Sequence, residues 1–78
     1  MRLSELKIGN KARVTGLLKG QAAAYRQRLI AMGLLPGATF VVSRVAPLGD
    51  PIEITLRGFS LSLRKAEASI LEIEKITE

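Results

Sequence analysis

The chain has 78 residues, enough for one small domain with a single hydrophobic core and too few for two. Hydrophobic residues make up 47% of it, which excludes a disordered polymer, but only 4% are aromatic, so the core must be aliphatic. Cysteine and histidine are both missing, which excludes disulfides and thiolate metal sites and fits a reducing cytoplasm.

The net charge of +5 is distributed unevenly along the chain. Residues 1–28 contain seven lysines and arginines and one glutamate, whereas residues 67–78 contain four glutamates and one lysine. This distribution fits two interpretations. Either the basic part faces an acidic partner surface, or the two ends pair with each other within the fold.

No segment has the composition of a targeting or membrane-spanning segment. Arg2 and Glu5 place charges at the very start, so a secretory apolar core is not predicted. The longest weakly polar run, residues 29–42, is interrupted by glycine and proline and falls short of the roughly 20 residues that a membrane span needs. We therefore expect a soluble, cytoplasmic domain without direct membrane insertion.

The first third of the chain predicts a turn, a strand and a helix. Leu3 and Leu6 lie three residues apart, which favours one helical turn, and the alternation in residues 11–18 predicts the first strand, with Lys19 and Gly20 ending it.

The helix is predicted to begin at Gln21 and to end at Gly33, with Leu34 folding back onto the last turn. Arg26 and Gln27 are predicted to point away from the core. The apolar stripe of this helix is predicted to comprise Ala22, Tyr25, Leu29 and Met32.

The remainder of the chain predicts strands. A type II turn over residues 35–38 reverses the chain, because proline presets φ at its second position and glycine accepts positive φ at its third. Gly58 and Phe59 are predicted to close a hairpin, and two prolines and a glycine make residues 46–51 a loop. Alternation predicts strands at residues 39–45, 52–57, 60–64 and 71–74, and one helical turn at residues 65–68.

These elements predict a mainly β fold. We expect a single domain over residues 1–78, built as a small, partly open SH3-like barrel of about five strands with one helix inserted after the first. The inward faces of the last three strands would supply Ile54, Leu56, Leu61, Leu63, Leu71 and Ile73.

The chain carries no constellation typical of an enzyme. Its serines have no histidine to activate them, and residues 16–21 lack the glycine spacing and the Gly-Lys-Ser/Thr end of a phosphate loop. Pairs of carboxylates, such as Asp50 with Glu53 or Glu72 with Glu74, offer too few oxygen ligands for a hard cation. We expect no catalysis, no cofactor and no metal.

A nucleic-acid-binding barrel is the alternative that the basic first third suggests, because lysine and arginine neutralise phosphates. Single-strand binders also stack bases on exposed aromatic side chains. Phe40 and Phe59 are assigned here to core or turn packing, which leaves Tyr25 as the candidate for stacking. The prediction is therefore that no nucleic acid is bound.

Protein recognition is what the predicted helix favours. Tyr25, Arg26 and Arg28 are residue types that dominate binding hot spots, and the predicted fold assigns no structural role to the two arginines. The plainer alternative is that Tyr25 caps the core with its hydroxyl outward and both arginines are merely solvated.

The loop at residues 46–51 is the second candidate for partner binding. Pro47 and Pro51 stiffen it, and Leu48 and Asp50 lie between them. An exposed leucine on a rigid loop is a usable anchor for a partner. The alternative is a rigid connector with Leu48 tucked in.

Several stretches resemble the FeoA family, the small cytoplasmic component of bacterial ferrous iron transport. The stretches that carry the resemblance are residues 25–29 (YRQRL), 32–37 (MGLLPG), 45–51 (VAPLGDP), 61–64 (LSLR) and Ala68.

The resemblance implies an SH3-like barrel that supports FeoB, a membrane permease with a cytoplasmic GTP-binding domain. On that basis we expect docking on the cytoplasmic part of such a permease through residues 22–32 and 46–51, and recruitment to the inner face of the membrane. Because the chain has no histidine or cysteine to hold ferrous ion, a protein partner is predicted instead of iron carriage. Similar domains also occur at the ends of iron-dependent repressors. The resemblance therefore also implies, as an alternative, a regulatory SH3-like domain of that type. No oligomeric state is indicated.

Overall fold

A computed structural model describes residues 2–18 and 23–77. Within them a short 3-10 helix, Leu3–Glu5, precedes five strands and two helices. The strands are β1 (Lys11–Leu17), β2 (Thr39–Val45), β3 (Ile52–Leu56), β4 (Phe59–Leu63) and β5 (Leu71–Ile76), and the helices are α1 (Ala23–Ala31) and α2 (Lys65–Ala68). The predicted mainly β fold with a helix after the first strand is confirmed. In the part of the chain that is described, no helix is both long and apolar enough to cross a membrane.

The five strands form one antiparallel sheet in the order β4-β3-β2-β1-β5. β4 and β5 are its two edges and do not pair with each other, as expected for a partly open barrel. Because β1 lies beside β5, the basic and acidic ends of the chain meet. Arg13 is opposite Glu74 in the register, and its Nη1 lies 2.8 Å from Glu74 Oε1. The interpretation that the two ends pair within the fold is confirmed for these residues.

One core, mostly aliphatic, lies inside this curved sheet and includes the aromatic ring of Phe40. Four of the six residues predicted to face inward from the last three strands are buried there. Leu56 and Leu61 are only half-buried, because they lie on the β3–β4 hairpin at the edge of the sheet. The four buried residues are Ile54, Leu63, Leu71 and Ile73.

Predicted boundaries on the edge strands are wrong by one or two residues. β4 begins at Phe59, so the hairpin turn consists of Arg57 and Gly58, with a φ of +81° at Gly58. β5 continues to Ile76, because it pairs with β1 as far as Lys11. The predicted end of the first strand at residues 19–20 lies outside the described residues.

The end of α1 follows the prediction. Gly33 has a φ of +95° and donates its N–H to the carbonyl of Ile30 at 3.0 Å, and the Leu34 N–H donates to the carbonyl of Leu29 at 3.0 Å. These two bonds form a Schellman ending, which directs the fully buried Leu34 into the core. In the following turn Gly37 has a φ of +95°, as a type II turn requires.

Gly33→Ala is expected to lower the free energy of unfolding by about 1–2 kcal/mol, because alanine is strained at positive φ. Space is not the cause, since an added Cβ would lie 3.9 Å from Phe59 Cζ. Gly16→Ala is the matched control: its Cβ would meet Glu72 Oε2 at 3.6 Å without a positive φ. Thermal unfolding followed by circular dichroism measures both. An equal loss of stability in the two variants would contradict the prediction.

Candidate functional site

Helix α2 contacts both segments that the sequence indicates for partner binding. Glu67 of α2 is buried, and its Oε2 lies 3.2 Å from Nη1 of Arg28 on α1. At the other end of α2, the N–H of Lys65 donates a 2.9 Å hydrogen bond to Oδ1 of Asp50 in the loop at residues 46–51. The fold therefore brings α1 and this loop to the same short helix.

The buried negative charge of Glu67 is balanced by Arg28. Its Oε1 accepts a 3.2 Å hydrogen bond from the N–H of Arg64 at the start of α2, whereas its Oε2 is buried without a hydrogen bond. The guanidinium of Arg28 therefore compensates the charge on Oε2. The expectation that the fold assigns no structural role to Arg28 is wrong, although 65% of its side chain remains exposed.

The loop at residues 46–51 is held at several points. The Gly49 N–H donates to the Ala46 carbonyl at 2.8 Å, and the Ala46 N–H donates to the Pro51 carbonyl at 3.1 Å. The third point is the hydrogen bond from α2 to Asp50 described above. Asp50, predicted as a partner-binding residue, is thus the anchor of the loop on α2.

Leu48 lies at the tip of this loop and is 96% exposed, as predicted for a partner anchor and not for a tucked-in connector. Beside it lies a cavity of about 230 Å³, which we call the Leu48 groove. Leu3, Leu6, Val45, Ile52 and Ala68 form its apolar wall, and Arg2, Asp50 and Lys65 contribute polar groups. Pro47 is exposed beside Leu48.

The other predicted residues of α1 lie differently from the expected pattern. Tyr25, predicted to lie on the apolar stripe, is 41% exposed. Arg26, predicted to point away from the core, is half-buried, and its Nε is inaccessible to solvent and without a hydrogen bond. Leu29 is the buried residue of α1. The predicted helix start at Gln21 and the stripe residue Ala22 lie outside the described residues.

Phe59 is an exposed aromatic that the sequence pattern assigned to packing. Alternation along β4 puts it on the same face as Leu61 and Leu63, but exposure increases from Leu63 to Phe59, which is 47% exposed. Phe59 borders a shallow groove with Gly33 and Leu56. Phe59 is exposed because it is the first residue of β4. Alternation predicts the face of the strand on which a side chain lies, but not how far along the strand the core extends.

Two of the carboxylates considered as cation ligands have other partners. Asp50 accepts the Lys65 N–H, and Glu53 Oε1 accepts a hydrogen bond from the Ser43 hydroxyl at 3.2 Å. Among residues 2–18 and 23–77, no cluster of three or more acidic side chains could hold a metal ion.

Comparison with known proteins defines the family. The family model described as FeoA domain matches residues 1–75. This chain belongs to the FeoA family. The resemblance in the sequence motifs is thereby confirmed, and the family is one of ferrous iron transport.

Three relatives show how far the likeness to FeoA proteins extends. The Fe(2+) transport protein A/Fe(2+) transporter FeoB fusion protein of Porphyromonas gingivalis is 38% identical over 77 residues, which are 99% of this chain but 9% of that protein. The solution structure of FeoA from Chlorobium tepidum is 43% identical, with a TM-score of 0.85 over 99% of this chain and 71% of that one. The zinc-complexed crystal structure of FeoA from Stenotrophomonas maltophilia is 26% identical, with a TM-score of 0.81 over 95% of this chain and 89% of that one. Because that FeoA is described as an SH3 domain protein, the SH3-like fold is confirmed.

Proposed function

We propose that this chain is a non-catalytic accessory domain of ferrous iron transport that binds the cytoplasmic part of an FeoB-type permease. In this role it lies in the cytoplasm and is recruited to the inner face of the membrane by the permease. It acts as one domain over residues 1–78.

The observation that carries this proposal is the fusion protein of Porphyromonas gingivalis, in which a segment similar to 99% of this chain is joined to an FeoB transporter. Covalent joining keeps two modules at a high effective concentration, which benefits modules that bind each other. An activating role in ferrous iron transport has been suggested for the Stenotrophomonas maltophilia FeoA, which agrees with an accessory role.

The docking surface that we propose combines the loop at residues 46–51 with α1. Leu48 and Pro47 supply exposed apolar area on a loop that hydrogen bonds hold in place, and such preorganised anchors lose little entropy on binding. Tyr25 and Arg26 supply contacts from α1. Arg28 holds α1 on α2 through Glu67, and Asp50 holds the loop on α2 through the N–H of Lys65. Both residues therefore position the proposed surface and also lie at its border.

Leu48→Asp is expected to weaken binding to the purified cytoplasmic part of the permease about tenfold or more, because it replaces an apolar anchor with a charge. The fold should persist, since Leu48 is 96% exposed. Isothermal titration, with and without guanine nucleotide, measures the affinity and any nucleotide dependence.

The control for this titration is Leu35→Asp, at a leucine that is 48% exposed outside the proposed surface. It should leave the affinity within about twofold of the unchanged protein. Equal losses in both variants would contradict the proposed surface, and no binding by the unchanged protein would contradict the proposed partner.

A further inference from the structure

We infer that the Leu48 groove binds an acidic, amphipathic segment of a protein partner. An apolar side chain of that segment enters the groove, and a neighbouring carboxylate meets Lys65 and Arg2. This inference rests on the proposed function, because it specifies the chemistry of the partner that docks beside the loop at residues 46–51.

The wall of the groove is apolar and fixed in position. Leu3, Leu6, Ile52 and Ala68 are each at most 6% exposed and belong to the core as well as to the groove. They come from the 3-10 helix, the segment after it, β3 and α2, so the groove exists only in the folded chain. Its volume of about 230 Å³ is below that of sites for whole small molecules and suits one or two side chains of a partner.

The charges at the groove select an acidic partner. The side chains of Arg2 and Lys65 are exposed, and within residues 2–18 and 23–77 neither forms an ion pair. Asp50 is the carboxylate that lines the groove, and one of its oxygens already accepts the Lys65 N–H. Two cations beside an apolar wall therefore favour a segment in which carboxylates flank a hydrophobic residue.

The same charges disfavour a second copy of this chain as the occupant. In a symmetric dimer each copy would bring Arg2 and Lys65 to the same interface, and each copy carries a net charge of +5. An anionic lipid surface would match the cations, but a lipid surface does not use a concave pocket beside the exposed leucine. A protein segment uses both the charges and the groove.

The test is an NMR titration of the isotopically labelled chain with a capped six-residue peptide that has two leucines between two pairs of aspartates. We expect chemical-shift changes at the amides of Leu6, Ile52 and Ala68. A peptide with serine in place of leucine, and one with asparagine in place of aspartate, should each bind at least about fivefold more weakly. Lys65→Glu should weaken binding about tenfold, because it reverses a groove charge while keeping the backbone N–H that holds Asp50.

Lys75→Glu is the matched control, because it makes the same charge change at an exposed position of β5 away from the groove. It should leave the affinity unchanged within about twofold. Equal binding of the asparagine peptide, shift changes elsewhere, or no binding of the aspartate peptide would overturn the inference. The inference would also be overturned if the chain bound phosphatidylserine vesicles and the peptide did not displace it from them.

This experiment contains no permease, so its result is separate from that of the proposed function. If the peptide binds in the groove and the permease does not bind, the partner assignment fails and the groove chemistry stands. If the permease binds through Leu48 and the peptide does not bind, the groove chemistry fails and the partner assignment stands.

Discussion

Leu29→Ala should lower the free energy of unfolding by about 2–5 kcal/mol, the usual range for removing a fully buried leucine and leaving a cavity. Leu29 is 0% exposed and is the buried residue of α1. An isolated helix of this length is marginal in water, so the burial of Leu29 in the core must hold α1. Truncating Leu29 therefore removes the main attachment of α1 as well as a filled volume.

Urea unfolding followed by far-UV circular dichroism measures this change, and it suits a chain without tryptophan. Leu35→Ala is the matched control, since Leu35 is 48% exposed just beyond the same helix. It should lower the free energy of unfolding by less than about 1 kcal/mol. If both variants lost the same amount, α1 would not depend on Leu29 for its attachment.

Much of this fold could be predicted because the relevant information is local. The Schellman ending at Gly33 and the turn at Gly37 each depend on a few consecutive residues, and the structure confirms both. Alternation also located the strands, because side chains on a strand point to opposite faces in turn. The strand ends were less certain, since pairing with a neighbour decides them, as at Ile76.

The candidate site was harder to predict because its contacts are tertiary. Sequence reasoning found Leu48 on an exposed loop, since the prolines and glycine around it define a loop locally. It did not find that Asp50 anchors this loop on α2 or that Arg28 compensates Glu67. Each of these pairs joins distant parts of the chain, and one charged residue alone does not identify its partner. The exposure of Phe59 likewise depends on tertiary structure, because Phe59 lies at the start of β4, whereas the buried Leu63 lies at its end.

Arg28→Met is expected to lower the free energy of unfolding by about 1–2 kcal/mol, because it leaves the buried Oε2 of Glu67 without a compensating charge. A fully buried pair would lose more, but 65% of the Arg28 side chain is exposed, so water screens the interaction. The amide of Ser69, which donates to the Lys65 carbonyl within α2, should exchange with solvent faster.

A double-mutant cycle separates the charge from the packing. Glu67→Gln removes the charge but keeps an oxygen for the N–H of Arg64, so adding Arg28→Met to it should cost less than about 0.5 kcal/mol. Arg13→Met, at the exposed pair with Glu74, serves as the control and should also cost less than about 0.5 kcal/mol. Equal effects of Arg28→Met with and without the Glu67 charge would exclude the ion pair as the cause.

The cycle also decides how a loss of partner binding at Arg28 is interpreted. Arg28 holds α2 through Glu67, and α2 holds the Leu48 loop through Asp50, so an Arg28 variant alters the docking surface without any contact between Arg28 and the partner. Arg28→Glu is the least informative substitution, because it places a second carboxylate beside Glu67 and disturbs α2 directly. If Arg28→Met loses affinity and the Glu67→Gln background restores it, Arg28 is a positioning residue. If affinity stays low in that background, Arg28 itself contacts the partner.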